Sequence, residues 1–405
     1  MELSSLSPCC LRVLVRVDYN VPMTNDGQVA NDKRILATIP TIKELTSQGA
    51  RIVLMSHMGR PKGENKPEYS LRPVAERLSA RLERPVQFIA QTVGEEVVNA
   101  TEQLKNGEIL LLENLRFHPE EEAGDEVFAK ALADNGDLYV NDAFGTAHRA
   151  HASTAVVAKF FPGKCAFGSV MSNEIQNVNR VLNGAESPAV AVVGGAKVSS
   201  KIQILERLLD RVDDVIIGGG MAFTFIKAQG GTVGSSLVED EHISTAQRIM
   251  DAATAKGVQI HLPSDVVAAD AFSADANTQV VSAKNIPEGW MGLDVGPNSL
   301  EELKLVVARA KTLLWNGPMG VFEMPAFETG TRELGEAIAE ATEKGLFSLV
   351  GGGDSVAAVD QFGLTQKVSY VSTGGGAMLE YLEGKVLPGI QAVMTSGAST
   401  PEDQN

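Results

Sequence analysis

Short apolar runs alternate with helix-like segments along nearly the whole chain, and this pattern constrains the fold more than any other feature. In the first half, β-rich runs such as "RVLVRVDYNV" and "RIVLMSH" precede segments with helical periodicity, such as "DKRILATIPTIKELTSQG" and "SLRPVAERLSARL". The runs "VQFIA", "EILLLENLRF" and "DLYVNDAFG" continue the series, with helical segments "VGEEVVNATEQL" and "EEEAGDEVFAKALADNG" between them. Alternation of this kind predicts a parallel sheet with helices on both faces.

The second half repeats the pattern, but its apolar runs end in glycine: "AVAVVGG", "DVIIGGG", "TLLWNGPMG", "FSLVGGG" and "VSYVSTGGG". Open α/β sheets bind ligands at the carboxyl ends of their strands, which is where these glycines fall. A chain of 405 residues is long for one hydrophobic core. We therefore expect two α/β domains, residues 1–170 and 185–383, joined by an amphipathic connector helix over 171–184.

The net charge of −16 argues against wholesale binding to nucleic acids or anionic membranes, because an acidic surface repels polyanions. An anionic ligand must therefore meet a local basic patch. The cysteines, Cys9, Cys10 and Cys165, fit neither a disulfide framework nor a CxxC metal site. This cysteine pattern is typical of a reducing compartment. The N-terminus lacks signal-peptide features, and no apolar run reaches about 18 residues, so we expect a cytoplasmic protein.

Polar residues of the first half cluster just after the predicted strands. They are Asp18 and Asn20, Arg34 at the start of the next helix, His57 and Arg60, Arg116, and His148, Arg149 and His151. A single arginine most often forms a solvated salt bridge, but four at one sheet edge predict a cationic site. Arginine suits that task because its planar guanidinium grips carboxylates and phosphates with two hydrogen bonds.

The second half carries glycine-rich turns that predict phosphate binding by backbone N–H groups at helix N-termini. No stretch has the P-loop spacing, and a triple glycine alone can equally mark a tight turn. Lys197 and Lys201, four residues apart in "VGGAKVSSKI", are expected at the start of a helix on one face. Asp354 beside such a turn suggests a Mg²⁺ ligand. Ser355, Asn316 and Glu323 lie in neighbouring glycine-rich segments.

These segments resemble the phosphoglycerate kinase family, in that family's order and over nearly the whole chain. The matching motifs are "VDYNVP", "SHMGRP", "LLENLRF", "NDAFGTAHRAHAST", "GGAKVSSKI", "GGGMAFTF", "LDVGP", "LWNGPMGVFE", "GGGDS" and "STGGGAMLE". The resemblance implies two Rossmann-like domains, with 3-phosphoglycerate on the first and magnesium–nucleotide on the second. It also implies a C-terminal tail, residues 384–405, that packs back on the first domain.

The resemblance further implies phosphoryl transfer from 1,3-bisphosphoglycerate to ADP, giving 3-phosphoglycerate and ATP in glycolysis, by a monomer whose domains close about a hinge. Carried over residue by residue, it assigns the phosphoglycerate to Asp18, Asn20, Arg34, His57, Arg60, Arg116 and Arg149. It assigns the nucleotide to Lys197, Lys201, the turn 218–220 with Gly219, Gly292, Asn316, Glu323, Gly352, Gly353, Asp354 and Ser355. Arg34, Lys197 and Gly374 would act on the transferred phosphoryl group, and Asp354 would bind magnesium.

Two rival functions remain to be weighed. A nicotinamide dehydrogenase should show GxGxxG after a strand, and no such glycine spacing occurs. A catalytically inactive relative, kept as a nucleotide-binding or scaffold protein, would be expected to lack Lys197, Arg34 or Asp354, and all three are present. The N-terminal "MELSSLSPCC" departs from the family's usual Leu-rich and Lys-Gly-Lys lead-in, which leaves the packing of these residues open.

Overall fold

The structure, a computed structural model, describes residues 2–398 and divides into two compact units. Unit 1 comprises Met1–Ile175 with Lys385–Asn405, and unit 2 comprises Gln176–Gly384. Within the part of the chain that is described, no helix combines the length and the apolar composition needed to cross a membrane.

Unit 1 contains a six-stranded parallel sheet in the order β3-β4-β2-β1-β5-β6. Its strands are β1 (Arg12–Val17), β2 (Arg51–Met55), β3 (Gln87–Phe88), β4 (Ile109–Leu111), β5 (Leu138–Asp142) and β6 (Cys165–Phe167). Val13, Leu14 and Val15 of β1 are all fully buried, although successive side chains point to opposite faces. Burial on both faces is typical of a parallel sheet covered by helices on each side.

The helices of unit 1 follow the strands as the periodicity predicts, with one exception. They are α1 (Lys33–Ser47), α2 (Arg72–Leu82), α3 (Glu95–Gln103), α4 (Pro119–Ala123) and α5 (Glu126–Ala133). The segment predicted as one helix is split into α4 and α5 at Gly124, whose φ of +66° ends a helix without the strain that a Cβ would bring. The side chain of Asp125 then caps α5, accepting a hydrogen bond from the Phe128 N–H at 2.8 Å.

Unit 2 is built around a second six-stranded parallel sheet, in the order β10-β8-β7-β15-β16-β17. These strands are β7 (Ala189–Val193), β8 (Asp214–Ile217), β10 (Gln259–His261), β15 (Thr312–Asn316), β16 (Phe347–Val350) and β17 (Tyr370–Val371). The glycines of the second half therefore follow the carboxyl ends of parallel strands, as predicted. The α/β fold class with two Rossmann-like sheets is confirmed.

Unit 2 also contains small sheets that the sequence reading missed. Strands β11 (Asp265–Ala269), β12 (Thr278–Ser282) and β14 (Met291–Val295) form an antiparallel sheet, and β9 (Thr232–Val233) pairs with β13 (Asn285–Ile286). The helices of this unit are α7 (Ile202–Leu208), α8 (Ala222–Ala228), α9 (Ile243–Lys256), α10 (Pro297–Arg309), α11 (Thr329–Glu343), α12 (Gly353–Gln361) and α13 (Gly376–Leu382).

Short 3₁₀ helices occur in both units. They span Leu3–Ser5, Pro67–Tyr69, Leu115–Phe117, Phe144–Thr146, Val156–Phe160, Asp240–His242 and Pro325–Phe327.

Helix α6 (Ser169–Leu182) begins and ends two residues earlier than the connector predicted over 171–184, and the division between the units falls inside it. The last helix of the described residues, α14 (Pro388–Ala398), belongs to unit 1. There the Gly389 N–H donates to the Ala147 carbonyl at 2.8 Å, and the Gly163 N–H donates to the Ser396 carbonyl at 2.6 Å. Residues 399–405 of the predicted tail 384–405 lie outside the described part.

Candidate functional site

Four arginines of unit 1 lie near enough to His57, at the carboxyl ends of the strands, for their charges to act on it; we call them the arginine cluster. His57 is 4% exposed, and its pKa lies well below the usual value. Burial is the main cause, and the positive charges of the cluster add to it because they disfavour a further cation. The members of the cluster, in order of their effect on His57, are Arg16, Arg116, Arg34 and Arg149.

The predicted residues after β1 are joined to this cluster by hydrogen bonds. Arg34, the second residue of α1, donates to the Asp18 carboxylate at 2.8 Å and to the Asn20 carbonyl at 3.2 Å. The Asn20 side-chain carbonyl accepts from the Gly59 N–H at 2.9 Å, and the Arg116 guanidinium donates to the Gly59 carbonyl at 2.7 Å. The loops after β1, β2 and β4 are therefore held together at one edge of the sheet.

Arg16 was missed by the sequence analysis, although it is 1% exposed and lies beside His57. Its guanidinium donates to the Val17 carbonyl, to Ser153 Oγ at 2.7 Å and to His57 Nδ1 at 3.2 Å. Because a guanidinium can only donate, His57 Nδ1 must be the acceptor. The proton of the neutral imidazole is therefore on Nε2. A charged residue inside the apolar run "RVLVRV" was the signal that could have found Arg16.

Glu121 supplies a buried negative charge behind the arginine cluster. Its carboxylate is fully buried and accepts hydrogen bonds from Ser153 Oγ at 2.6 Å and from the Ser153 N–H at 3.0 Å. Burial raises the pKa of Glu121, while Arg16 and the Ser153 hydrogen bonds oppose that rise. Ser153 thus links Glu121 to Arg16. The nearby His151, 3.9 Å from Glu121, has a pKa lowered to about 4 by burial and by the surrounding arginines.

The positive charge of this site exceeds the negative charge paired with it. Arg34 pairs with Asp18, and Arg116 lies 3.3 Å from the Glu122 carboxylate. Arg149 is half-buried and donates to His148 Nε2 at 3.3 Å, and Arg60 is exposed. Neither Arg60 nor Arg149 has a carboxylate within ion-pair distance among residues 2–398. In a protein with a net charge of −16, such an excess of cations favours an anionic ligand.

In unit 2, most of the predicted nucleotide residues line one cavity of about 370 Å³. Its lining includes Gly194, Gly195, Lys197, Ser200, Lys201, Asn316, Gly317, Gly352, Gly353, Asp354 and Ser355. Backbone from the loops after β7, β15 and β16 contributes to the wall. Lys197 and Lys201 were predicted to lie at the start of a helix, but α7 begins only at Ile202. They reach the cavity from the turn that precedes α7.

The two lysines differ in their surroundings. The Lys201 ammonium donates to the side-chain oxygen of the fully buried Asn316, and burial lowers the pKa of Lys201 while Asp354 opposes the shift. Lys197 is exposed, and its ammonium has no hydrogen-bond or ion-pair partner in the described chain. Asp354, the second residue of α12, is likewise exposed, and its carboxylate forms no hydrogen bond or ion pair with residues 2–398. Both groups are therefore available to a ligand.

The remaining predicted residues of unit 2 do not line this cavity. Gly219, with φ of +67°, packs against its wall: a Cβ there would lie 2.6 Å from the Gly195 carbonyl oxygen. Gly292 lies on β14 against the Phe223 ring, and Glu323 is exposed after β15. Gly374 is buried, and its N–H donates to Ser372 Oγ at 3.1 Å.

Glu239 is a second residue that sequence reasoning missed. Its two carboxylate oxygens accept hydrogen bonds from the Ser199 N–H at 3.0 Å and from Ser199 Oγ at 2.6 Å. Ser199 lies between Lys197 and Lys201, so Glu239 holds the turn that carries both lysines. Forty residues separate Glu239 from Ser199, and no local pattern connects them.

The fold and these two sites define an α/β protein with an arginine cluster in unit 1 and a glycine-lined cavity with two lysines in unit 2, both of which are suited to anions. The phosphoglycerate kinase family model matches residues 10–385. The chain therefore belongs to the phosphoglycerate kinase family, whose members are phosphotransferase enzymes.

Individual relatives agree over almost their full lengths. The phosphoglycerate kinase of Acaryochloris marina is 53% identical over 382 residues, which are 94% of this chain and 95% of that protein. The chloroplastic phosphoglycerate kinase of Volvox carteri is 53% identical over 383 residues, which are 94% of this chain and 83% of that protein. The solved structure of phosphoglycerate kinase from Coxiella burnetii is 44% identical, with a TM-score of 0.90, and covers 97% of this chain and 98% of its own.

Proposed function

We propose that this chain catalyses reversible phosphoryl transfer between 1,3-bisphosphoglycerate and ADP, which yields 3-phosphoglycerate and ATP. The observation that carries the proposal is the cavity of unit 2, where Lys197, Lys201 and Asp354 meet backbone from three glycine-containing loops. Such a set neutralises and positions phosphates, and phosphoryl transfer depends mainly on those two effects.

In unit 1, the arginine cluster and its neighbours are proposed to bind the phosphoglycerate. The proposed ligands are Asp18, Asn20, Arg34, His57, Arg60, Arg116 and Arg149. The excess of unpaired arginine supports this assignment, because the ligand carries both a phosphate and a carboxyl group. His57 would contribute its Nε2–H as a hydrogen-bond donor, since Arg16 occupies Nδ1.

In unit 2, the nucleotide is proposed to contact Lys201, Asn316, Gly352, Gly353, Asp354 and Ser355, with Gly219, Gly292 and Glu323 further along the same site. The N–H groups at the start of α12 suit phosphate oxygens because the helix dipole is positive at that end. The partly buried hydrogen bond from Lys201 to Asn316 would keep the lysine charge directed at the same phosphates.

Arg34, Lys197 and the Gly374 backbone are proposed to act on the phosphoryl group as it is transferred. Lys197 supports this role because its exposed ammonium has no competing partner among residues 2–398. A cation that meets charge developing in the transition state accelerates the reaction without needing a covalent intermediate. No side chain therefore has to act as a nucleophile.

Asp354 is proposed as the protein ligand of the Mg²⁺ that accompanies the nucleotide. Its exposed carboxylate lines the cavity, has no partner among residues 2–398, and is the hard oxygen donor that Mg²⁺ prefers. When bound, Mg²⁺ would neutralise charge on the nucleotide phosphates. The residues present fit that ion.

Two further features remain proposals: that the protein acts as a monomer, and that it works in a reducing compartment such as the cytosol. Closure of the two domains on their ligands, with 171–184 and the glycine turn 373–376 as hinges, also stays a prediction. It rests on the need to bring reacting atoms to roughly 3–3.5 Å.

Titration calorimetry on paired variants tests the assignment of ligands to units. Arg60→Ala should weaken 3-phosphoglycerate binding roughly 10- to 100-fold, the value of one hydrogen bond to a charged group, and leave Mg·ADP binding unchanged. Asp354→Asn should weaken Mg·ADP binding and leave 3-phosphoglycerate binding unchanged, because the amide keeps the size of the side chain but loses its charge. The reverse pattern would show that the ligands are assigned to the wrong units, and unchanged binding in both variants would refute both sites.

A further inference from the structure

Cys9 and Cys10 lie side by side in an exposed turn before β1, and the function proposed above uses neither. Their Sγ atoms are 3.3 Å apart, whereas the third cysteine, Cys165, is buried. We propose that Cys9 and Cys10 form a vicinal dithiol site that captures thiophilic trivalent arsenic, supplied as an arsenoxide, in a cyclic dithiolate.

The turn that presents the two thiols is fixed by three hydrogen bonds. The Cys10 N–H donates to the Gly49 carbonyl at 3.1 Å, and the Leu11 N–H donates to the Pro8 carbonyl at 3.0 Å. The Asn106 side-chain amide donates to Cys10 Sγ at 3.1 Å. The chain segments before β1, β2 and β4 therefore hold the sulfur pair in place before any ligand arrives, which lowers the entropy cost of binding.

The spacing of the sulfurs suits a bridging atom better than a direct disulfide. The peptide between the cysteines is trans, which sets their Cα atoms about 3.8 Å apart. Disulfides usually need roughly 4.4–6.8 Å between Cα atoms, so direct oxidation of this pair would be strained. A soft atom bonded to each sulfur instead bridges the 3.3 Å between them without a direct S–S bond. Trivalent arsenic is a soft, pyramidal centre that bonds two thiolates in this way.

The chemistry of the pair allows capture in a ring. Both thiols are exposed, either can donate a hydrogen bond to the other, and Asn106 donates to Cys10 Sγ. One sulfur attacks arsenic as the thiolate, and the second sulfur then closes the ring. Two As–S bonds form, the arsenoxide As–O bonds break, and the oxygen leaves as water with both thiol protons. Arsenic stays trivalent, and no oxidant is needed.

This site lies at the opposite edge of the unit 1 sheet from the arginine cluster. Cys9 and Cys10 precede β1, Gly49 precedes β2 and Asn106 precedes β4, whereas the arginine cluster is assembled at the carboxyl ends of the strands. Capture of arsenic should therefore leave 3-phosphoglycerate binding intact. The arsenic-modified enzyme should keep its rate of phosphoryl transfer. A failure to capture arsenic can therefore be told apart from a failure of the proposed function.

Intact-mass spectrometry of the reduced, folded full chain with phenylarsine oxide as the probe tests the site. The expected result is one phenylarsenic adduct formed with loss of one water, removed by a small dithiol and resistant to a monothiol. Cys9→Ser and Cys10→Ser should each weaken capture by about 10²-fold or more, because the second bond is no longer intramolecular. Cys165→Ser is the matched control and should bind as the wild type does. An adduct that a monothiol removes, that persists in Cys9→Ser, or that is lost in Cys165→Ser would overturn the proposal, as would the absence of any adduct.

Discussion

Replacing Gly352 with alanine should lower the free energy of unfolding of unit 2, whereas the same change at its neighbour Gly353 should not. Gly352 has φ of +93° and ψ of 142°, a conformation that residues with a side chain rarely adopt. A Cβ at this position would lie 2.5 Å from Asn316 Nδ2. At Gly353, by contrast, a Cβ would meet no atom within 4 Å, and φ is not positive.

The expected cost of Gly352→Ala has two parts. Holding alanine in this backbone conformation costs about 1–3 kcal/mol. The Cβ also displaces the side chain of Asn316, which is fully buried and donates from Nδ2 to the Gly351 carbonyl at 2.7 Å. Leaving these groups unpaired costs about 1–3 kcal/mol more. We therefore expect a loss of about 2–6 kcal/mol in the free energy of unfolding of unit 2.

Gly353→Ala should be neutral or slightly stabilising, by up to about 1 kcal/mol, because Gly353 is the first residue of α12 and alanine favours a helix. Urea denaturation followed by tryptophan fluorescence measures the difference, since both tryptophans of the chain, Trp290 and Trp315, belong to unit 2. Equal stabilities of the two variants would refute the steric reasoning.

Three further results are expected. Nitrogen-15 NMR should show His57 neutral at pH 7 with Nδ1 unprotonated, and a proton on Nδ1 would contradict the hydrogen bond from Arg16. The pKa of His151 is about 4 in the folded chain, below the ordinary value of 6.5. Between these two pH values, the unfolded chain binds a proton at His151 and the folded chain does not. The free energy of unfolding should therefore fall by up to about 3 kcal/mol as the pH is lowered from 6.5 to 4. In His151→Asn, the free energy of opening measured by hydrogen exchange in unit 1 should change less over this pH range. Glu239→Gln should raise the KM for nucleotide roughly 3- to 10-fold and leave the KM for 3-phosphoglycerate unchanged. The control is Glu241→Gln. An equal rise in its KM for nucleotide would mean that the Ser199 contact is unimportant.

The sequence allowed the parallel sheets to be predicted because their strands are apolar on both faces and end at glycines or polar clusters. It did not allow prediction of the antiparallel sheet formed by β11, β12 and β14. Strand β12 reads "TQVVS", and its exposed and half-buried residues alternate. Such a short run carries little signal, and its pairing is set by tertiary contacts rather than by local preference.

Residues of the candidate sites were missed for similar reasons. The residues that follow strand ends could be recognised, because parallel strands bring their carboxyl ends to one edge. Arg16 lies within a strand, where the burial of a charge is expensive, and one of its hydrogen-bond partners, Ser153, is 137 residues away in the sequence. Glu239 is recognised only through its contact with Ser199. Residues that position a site from a distance need the folded structure to be found.

The most direct test of the proposed activity is a coupled assay of ATP formation from 1,3-bisphosphoglycerate and ADP with Mg²⁺, run on the purified wild type, Lys197→Ala and Lys311→Ala. Lys311 is an exposed lysine of the same unit that does not line the cavity. We expect rapid turnover by the wild type and by Lys311→Ala. In Lys197→Ala, kcat should fall on the order of 10²- to 10³-fold with nucleotide affinity nearly unchanged, because the role proposed for Lys197 is to stabilise charge that develops in the transition state. A wild type that makes no ATP, or a Lys197→Ala variant with normal kcat, would contradict the account.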